Sequence, residues 1–88
     1  MWLNINATDE NGSNEMFINV NHIIGIVQSK CRTGVRIMFD CGRSCDFDWE
    51  DSRKTAIEFF HDLKHAIATG CSWERNKETC YSIKVTKD

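Results

Sequence analysis

An α+β fold follows from two observations: short apolar–polar alternations recur through residues 2–50, and one strongly amphipathic helical segment comes after them. The alternation predicts an antiparallel β-meander of four to five strands. The helix would pack across one face of that meander.

The first strand sets Leu3, Ile5 and Ala7 against Trp2, Asn4 and Asn6. Residues 9–14 follow, and their Asn11-Gly12 pair is a hairpin signal, because both residues tolerate positive φ. A second strand is expected over about Glu15–Asn21, with Met16, Ile18 and Val20 on one face and Phe17 on the other. Ile23, Ile24, Ile26 and Val27 carry apolar side chains on both faces of the next strand, a pattern expected of a central strand covered on both sides. Gly25 inside it signals a bulge or a close backbone approach.

Beyond the Ser29–Gly34 loop, Val35, Ile37 and Phe39 point inward and Arg36, Met38 and Asp40 outward. A turn through Asp40–Ser44 leads to Cys45, Phe47 and Trp49, in strict alternation with Asp46, Asp48 and Glu50. Asp51 or Ser52 offers an N-cap oxygen for the helix, and Gly70 a stop. Ala56, Ile57, Phe60, Leu63 and Ile67 form its expected core stripe. The extension over residues 71–88 adds a last strand, Tyr81, Ile83 and Val85 against Ser82, Lys84 and Thr86, expected at a sheet edge.

The totals bound the class. With 88 residues the chain makes a single small domain, and 41% apolar with 27% charged residues is a globular composition. A net charge of −2 disfavours a general phosphate-backbone binder. Residues 1–52 hold eight acidic and four basic side chains, residues 53–88 five and seven, so small surfaces of either sign are available. Five cysteines, no leader-like segment and no apolar stretch long enough for a bilayer point to a reducing cytoplasm with free thiols and no membrane. A secreted alternative would pair Cys71 with Cys80.

No enzyme signature is present, and no cofactor is expected. The sharpest metal candidate is Cys41-x3-Cys45 in a turn, followed by His61-x3-His65 on the helix, the ligand types of a tetrahedral zinc. Two facts oppose it: Cys45 is in phase with core residues Phe47 and Trp49, and both histidines lie off the apolar stripe. A nucleophilic thiol at Cys45 is opposed by Asp46 and Asp48, which would raise its pKa. The acidic row Asp46, Asp48 and Glu50 repeats every ~6.7 Å, near phosphate spacing, and Arg36 stands across from it. Trp2, Phe17 and Met38 sit opposite the core set of their own strands. Were those strands neighbours, they would form an apolar patch with a polar rim.

Over residues 16–63 the chain resembles small FlbD-like bacterial and phage proteins, through Phe17-Ile18-Asn19-Val20-Asn21-His22-Ile23-Ile24-Gly25-Ile26, Val35–Phe39, Gly42 and Phe47–Ile57. The resemblance implies a small non-catalytic accessory protein that acts through contacts. The resulting expectation is a binding or regulatory protein that docks a protein partner, or a second copy of itself. Trp2, Phe17 and Met38 would be its anchors, and Arg36, Asp46, Asp48 and Glu50 its rim. Two other classes remain open. One is a phage-type inhibitor using the acidic strand as a nucleic-acid mimic. The other is a nucleic-acid accessory protein using Lys30, Arg32, Arg75 and Lys77.

Overall fold

The computed structural model describes residues 1–9, 12–50, 52–74 and 80–87, and it divides the strands into two antiparallel sheets where the sequence predicts one meander. The first sheet is built on β1 (Trp2–Asp9), whose Leu3, Ile5 and Ala7 are buried as their period requires. β1 pairs with β2 (Gly12–Asn19) from Trp2↔Asn19 to Asp9↔Gly12. Gly12 opens β2 at φ +113°, a conformation closed to side-chain-bearing residues. Glu10 and Asn11, on which the hairpin signal partly falls, lie outside the described residues.

β2 ends two residues earlier than predicted. The Asn19 side chain accepts from the Asn21 N–H at 3.0 Å, and this local cap turns Val20–His22 into a short 3₁₀ helix. The second sheet follows, from β3 (Ile23–Gln28), β4 (Gly34–Phe39) and β5 (Ser44–Asp48), in that order. Its register slips between Ile23 and Gly25, so Ile24 is the extra residue of a bulge, as Gly25 signalled. β3 is an edge strand and not a covered central one. Its inward residues Ile23 and Ile26 reach the core, while Ile24 and Val27 face out.

The helix α1 (Arg53–Thr69) begins at Ser52, whose Oγ accepts from the Thr55 N–H at 3.3 Å. It stops at Gly70, which is left-handed at φ +70° and donates its N–H to Ala66 O at 2.9 Å. Its buried face is Ala56, Phe59, Leu63 and Ala66. That face is turned from the predicted stripe, so Phe60 and Ile67 flank the core and Ile57 is only half-buried.

After α1, β6 (Trp73–Glu74) and β7 (Tyr81–Thr86) return the chain to the first sheet, giving the order β2-β1-β7-β6. β7 pairs with β1 along Trp2↔Thr86 to Ala7↔Tyr81 and with β6 on its other side, so it is not the expected edge strand. Lys84 is exposed, as its place in the alternation requires.

Aromatic rings join the layers. Phe59 lies 5.0 Å from Phe47, 5.1 Å from Trp49 and 5.0 Å from Tyr81, ring centre to ring centre, so the helix holds β5 and β7 on one cluster. Trp49 Nε1 donates to Thr8 O at 2.9 Å and the Asp48 N–H to Asp9 Oδ2 at 3.1 Å, pinning the end of β5 to the end of β1. Among the described residues no helix is long and apolar enough to cross a membrane.

Candidate functional surface

β4 carries the site. Its odd-numbered residues Val35 and Ile37 go into the core, which forces Arg36 and Met38 onto the outer face. There β3 brings Val27 opposite Arg36 and Gly25 opposite Met38, while β5 brings Asp46 opposite Arg36. The Arg36 guanidinium grips Asp46 through two bonds, Nε to Oδ1 at 2.7 Å and Nη2 to Oδ2 at 3.2 Å. That bond, reinforced by the charge of Asp46, raises the pKa of Arg36 further.

A groove of about 460 Å³ runs over this face, lined by Val27, Ser29, Arg36, Met38, Asp46 and Asp48 among others. Its walls divide between apolar and charged groups. Asp48 is half-buried, and its Oδ1 is enclosed without a hydrogen-bond partner.

The structure therefore brings together Arg36, Met38, Asp46 and Asp48 of the expected surface. Trp2 and Phe17 belong to the other sheet, so the single patch of Trp2, Phe17 and Met38 does not exist. They stack on one another instead, centroids 4.8 Å apart and planes 10° from parallel, as a diagonal cross-strand pair. Glu50 is exposed just beyond β5. The C-terminal strand joins the first sheet edge-on through β1 and does not lie across that sheet's outer face.

Two residues of the surface escape the sequence reading. Ile24 is 65% and Val27 48% exposed, beside Phe17 at 61% and Met38 at 37%, the four large hydrophobics left exposed among the described residues. Three of these four sit on β3 and β4. The available signal was Gly25, whose bulge turns Ile24 away from the core.

All five cysteines are free thiols, Cys71 and Cys80 included. Burial raises the pKa of Cys45, with Asp46 and then Asp9 adding to it, and its Sγ lies 3.2 Å from Met16 Sδ. Cys41 is exposed in the β4–β5 turn and His61 and His65 on the outside of α1. Among the described residues no three metal-binding side chains converge. Cys31, in the exposed β3–β4 loop, differs from the rest: hydrogen bonds with Thr33 Oγ1 at 3.2 Å and Ser29 Oγ at 3.7 Å lower its pKa.

Comparison with protein-family models, with curated proteins and with solved structures finds no match.

Proposed function

We propose that this protein is a small non-enzymatic binding module that works through protein–protein contacts on the outer face of β3-β4-β5. The observation that carries the reading is the gathering of Ile24, Val27 and Met38, exposed, on one small sheet beside a groove with a charged wall. Apolar area held together next to fixed polar groups is how a protein partner is anchored and oriented. Arg36 and Asp46 hold each other's geometry before a partner arrives, so little side-chain freedom is lost when it docks. Trp2 and Phe17, mutually stacked on the other sheet, act as a stabilising pair there. Five free thiols support a reducing, cytoplasmic setting.

The same clamp weakens the nucleic-acid-mimic reading, because Arg36 neutralises the first carboxylate of the row Asp46, Asp48 and Glu50. For nucleic-acid binding, Lys30 and Arg32 share one exposed loop, whereas Arg75 and Lys77 lie outside the described residues.

A photo-crosslinking amino acid placed at Met38 tests the proposal, with the same group at Lys64, exposed on α1, as reference. A discrete protein adduct from position 38 and none from position 64 is expected. Adducts from position 64 alone, or from neither position, would remove this surface as the binding face.

A further inference from the structure

Among the described residues four strands border the two sheets: β2 and β6 on the first, β3 and β5 on the second. Exposed edges invite pairing and are normally guarded by charge, proline, brevity or a bulge. Among the described residues β6 spans two, β2 carries Glu15, and β5 carries Asp46 and Asp48. β3 reads Ile-Ile-Gly-Ile-Val-Gln, with neither a charge nor a proline. Its one irregularity, the bulge at Ile24, sits near its start and leaves the rest of the strand regular.

We propose that β3 pairs antiparallel with β3 of a second copy of this chain, about a two-fold axis through Ile26, joining two three-stranded sheets into one of six. The inference rests on the protein-binding reading of this face and names the partner. An axis perpendicular to a sheet pairs residues of like face, so it must pass through a residue. Through Ile26 it sets Val27 of one copy opposite Gly25 of the other, both on the outer face. Gly25 offers no side chain, and a Cβ there would meet nothing nearer than Met38 Sδ at 3.8 Å. The exposed Val27 fills that space and packs on Met38 of the opposite copy.

The same axis joins complementary charge. It carries the Lys30–Arg32 loop of each copy to the strand end where His22 Nδ1 holds Asp40 Oδ2 at 3.0 Å, with both side chains at least half exposed. The contact forms twice in the dimer. The other long edges fail on this count: β5 would bring Asp46 and Asp48 near their own copies, and β2 would do the same with Glu15. The regular ladder, Gly25–Val27 of each copy flanked by the bulge at Ile24, makes a small interface, so a weak dimer is expected, with a dissociation constant on the order of 10 micromolar.

Sedimentation velocity on the reduced full chain, at concentrations spanning that range, tests the inference. A monomer–dimer equilibrium is expected. Val27→Lys should abolish it, and Phe17→Lys, on the other sheet, should leave it unchanged. Lys30→Glu should weaken the dimer about tenfold, by replacing two exposed attractions with repulsions. Adding Asp40→Lys to Lys30→Glu should restore it. This charge exchange keeps the test decisive if circular dichroism finds Val27→Lys unfolded. A wild-type monomer at every concentration overturns the inference. So does a dimer broken by Phe17→Lys but not by Val27→Lys, or a double variant no tighter than Lys30→Glu alone. A monomer that still yields a foreign adduct at position 38 removes the self-pairing and leaves the binding surface standing; a monomer with no adduct removes both.

Discussion

Replacing Phe59 by Ala is the most discriminating test of how the helix meets the two sheets. Phe59 is fully buried, with three rings from β5, its flank and β7 about 5 Å away. A buried Phe→Ala change costs about 3–5 kcal/mol, through lost transfer energy and the cavity left behind. A chain of 88 residues has roughly 4–13 kcal/mol of stability in total. Phe59→Ala therefore removes between a quarter and all of it. Phe60 is half-buried, flanking the core with Lys64 Nζ 5.1 Å from its ring centre, so Phe60→Ala should cost about 1 kcal/mol. Urea titration followed by both far-ultraviolet circular dichroism and tryptophan emission gives the two midpoints, and coincident curves license the two-state treatment. If Phe60→Ala lowers the midpoint as much as Phe59→Ala, the helix is rotated from the orientation described and the reasoning fails.

Gly70→Ala puts a methyl group on a left-handed C-cap, where it would also come within 3.1 Å of Lys87 Cε. The Lys87 side chain can swing aside, but the backbone strain remains, and the melting temperature should fall by about 5 °C for ~1 kcal/mol. Ser52→Ala removes the oxygen that caps Thr55 N–H and should cost about 1 kcal/mol by the same measurement. The thiols should separate by reactivity. The pKa of Cys31 is lowered, so its thiolate appears at lower pH than an ordinary cysteine's; that of Cys45 is raised by burial, so its thiolate appears at higher pH. Timed iodoacetamide labelling of the folded protein near neutral pH, read by peptide mass, should show Cys31 modified well before Cys45. Equal rates would contradict the assignment.

Local chemistry made some elements readable in advance. Ser52 and Gly70 each answer to a backbone need within a few residues of themselves, so both helix ends stand where the sequence puts them. The buried face of α1 was harder. Phe59 and Phe60 are adjacent aromatics, and Ala66 adds little apolar weight, so two stripes about 65° apart that share Ala56 and Leu63 fit the same seventeen residues. Nothing near Tyr81 announces that its partner is Ala7. With that pairing out of sight, the strands could be read as one meander and Met38 as a neighbour of Phe17. The apolar run of β3 fits a covered central strand as well as an edge with an exposed bulge. What separates the two is that β3 pairs with β4 alone, with Ile24 out of register. Of the site, the outward set of β4 and β5 was legible from strict alternation, and Val27 was hidden by that ambiguity.

The position of β1 bears on how the chain comes to be folded. Its two neighbours arrive from opposite ends of the sequence, β2 at once and β7 only after the second sheet and the helix have been made. Until residues 81–86 have left the ribosome, one edge of β1 has no ladder, and the ring cluster around Phe59 lacks Tyr81. The nascent chain thus carries a hairpin with an open side until β7 is made. The last contacts to form, between residues nearly a chain length apart, are the slow ones. Leu3 and Ile5, buried in the finished fold, stay incompletely shielded until that pairing forms.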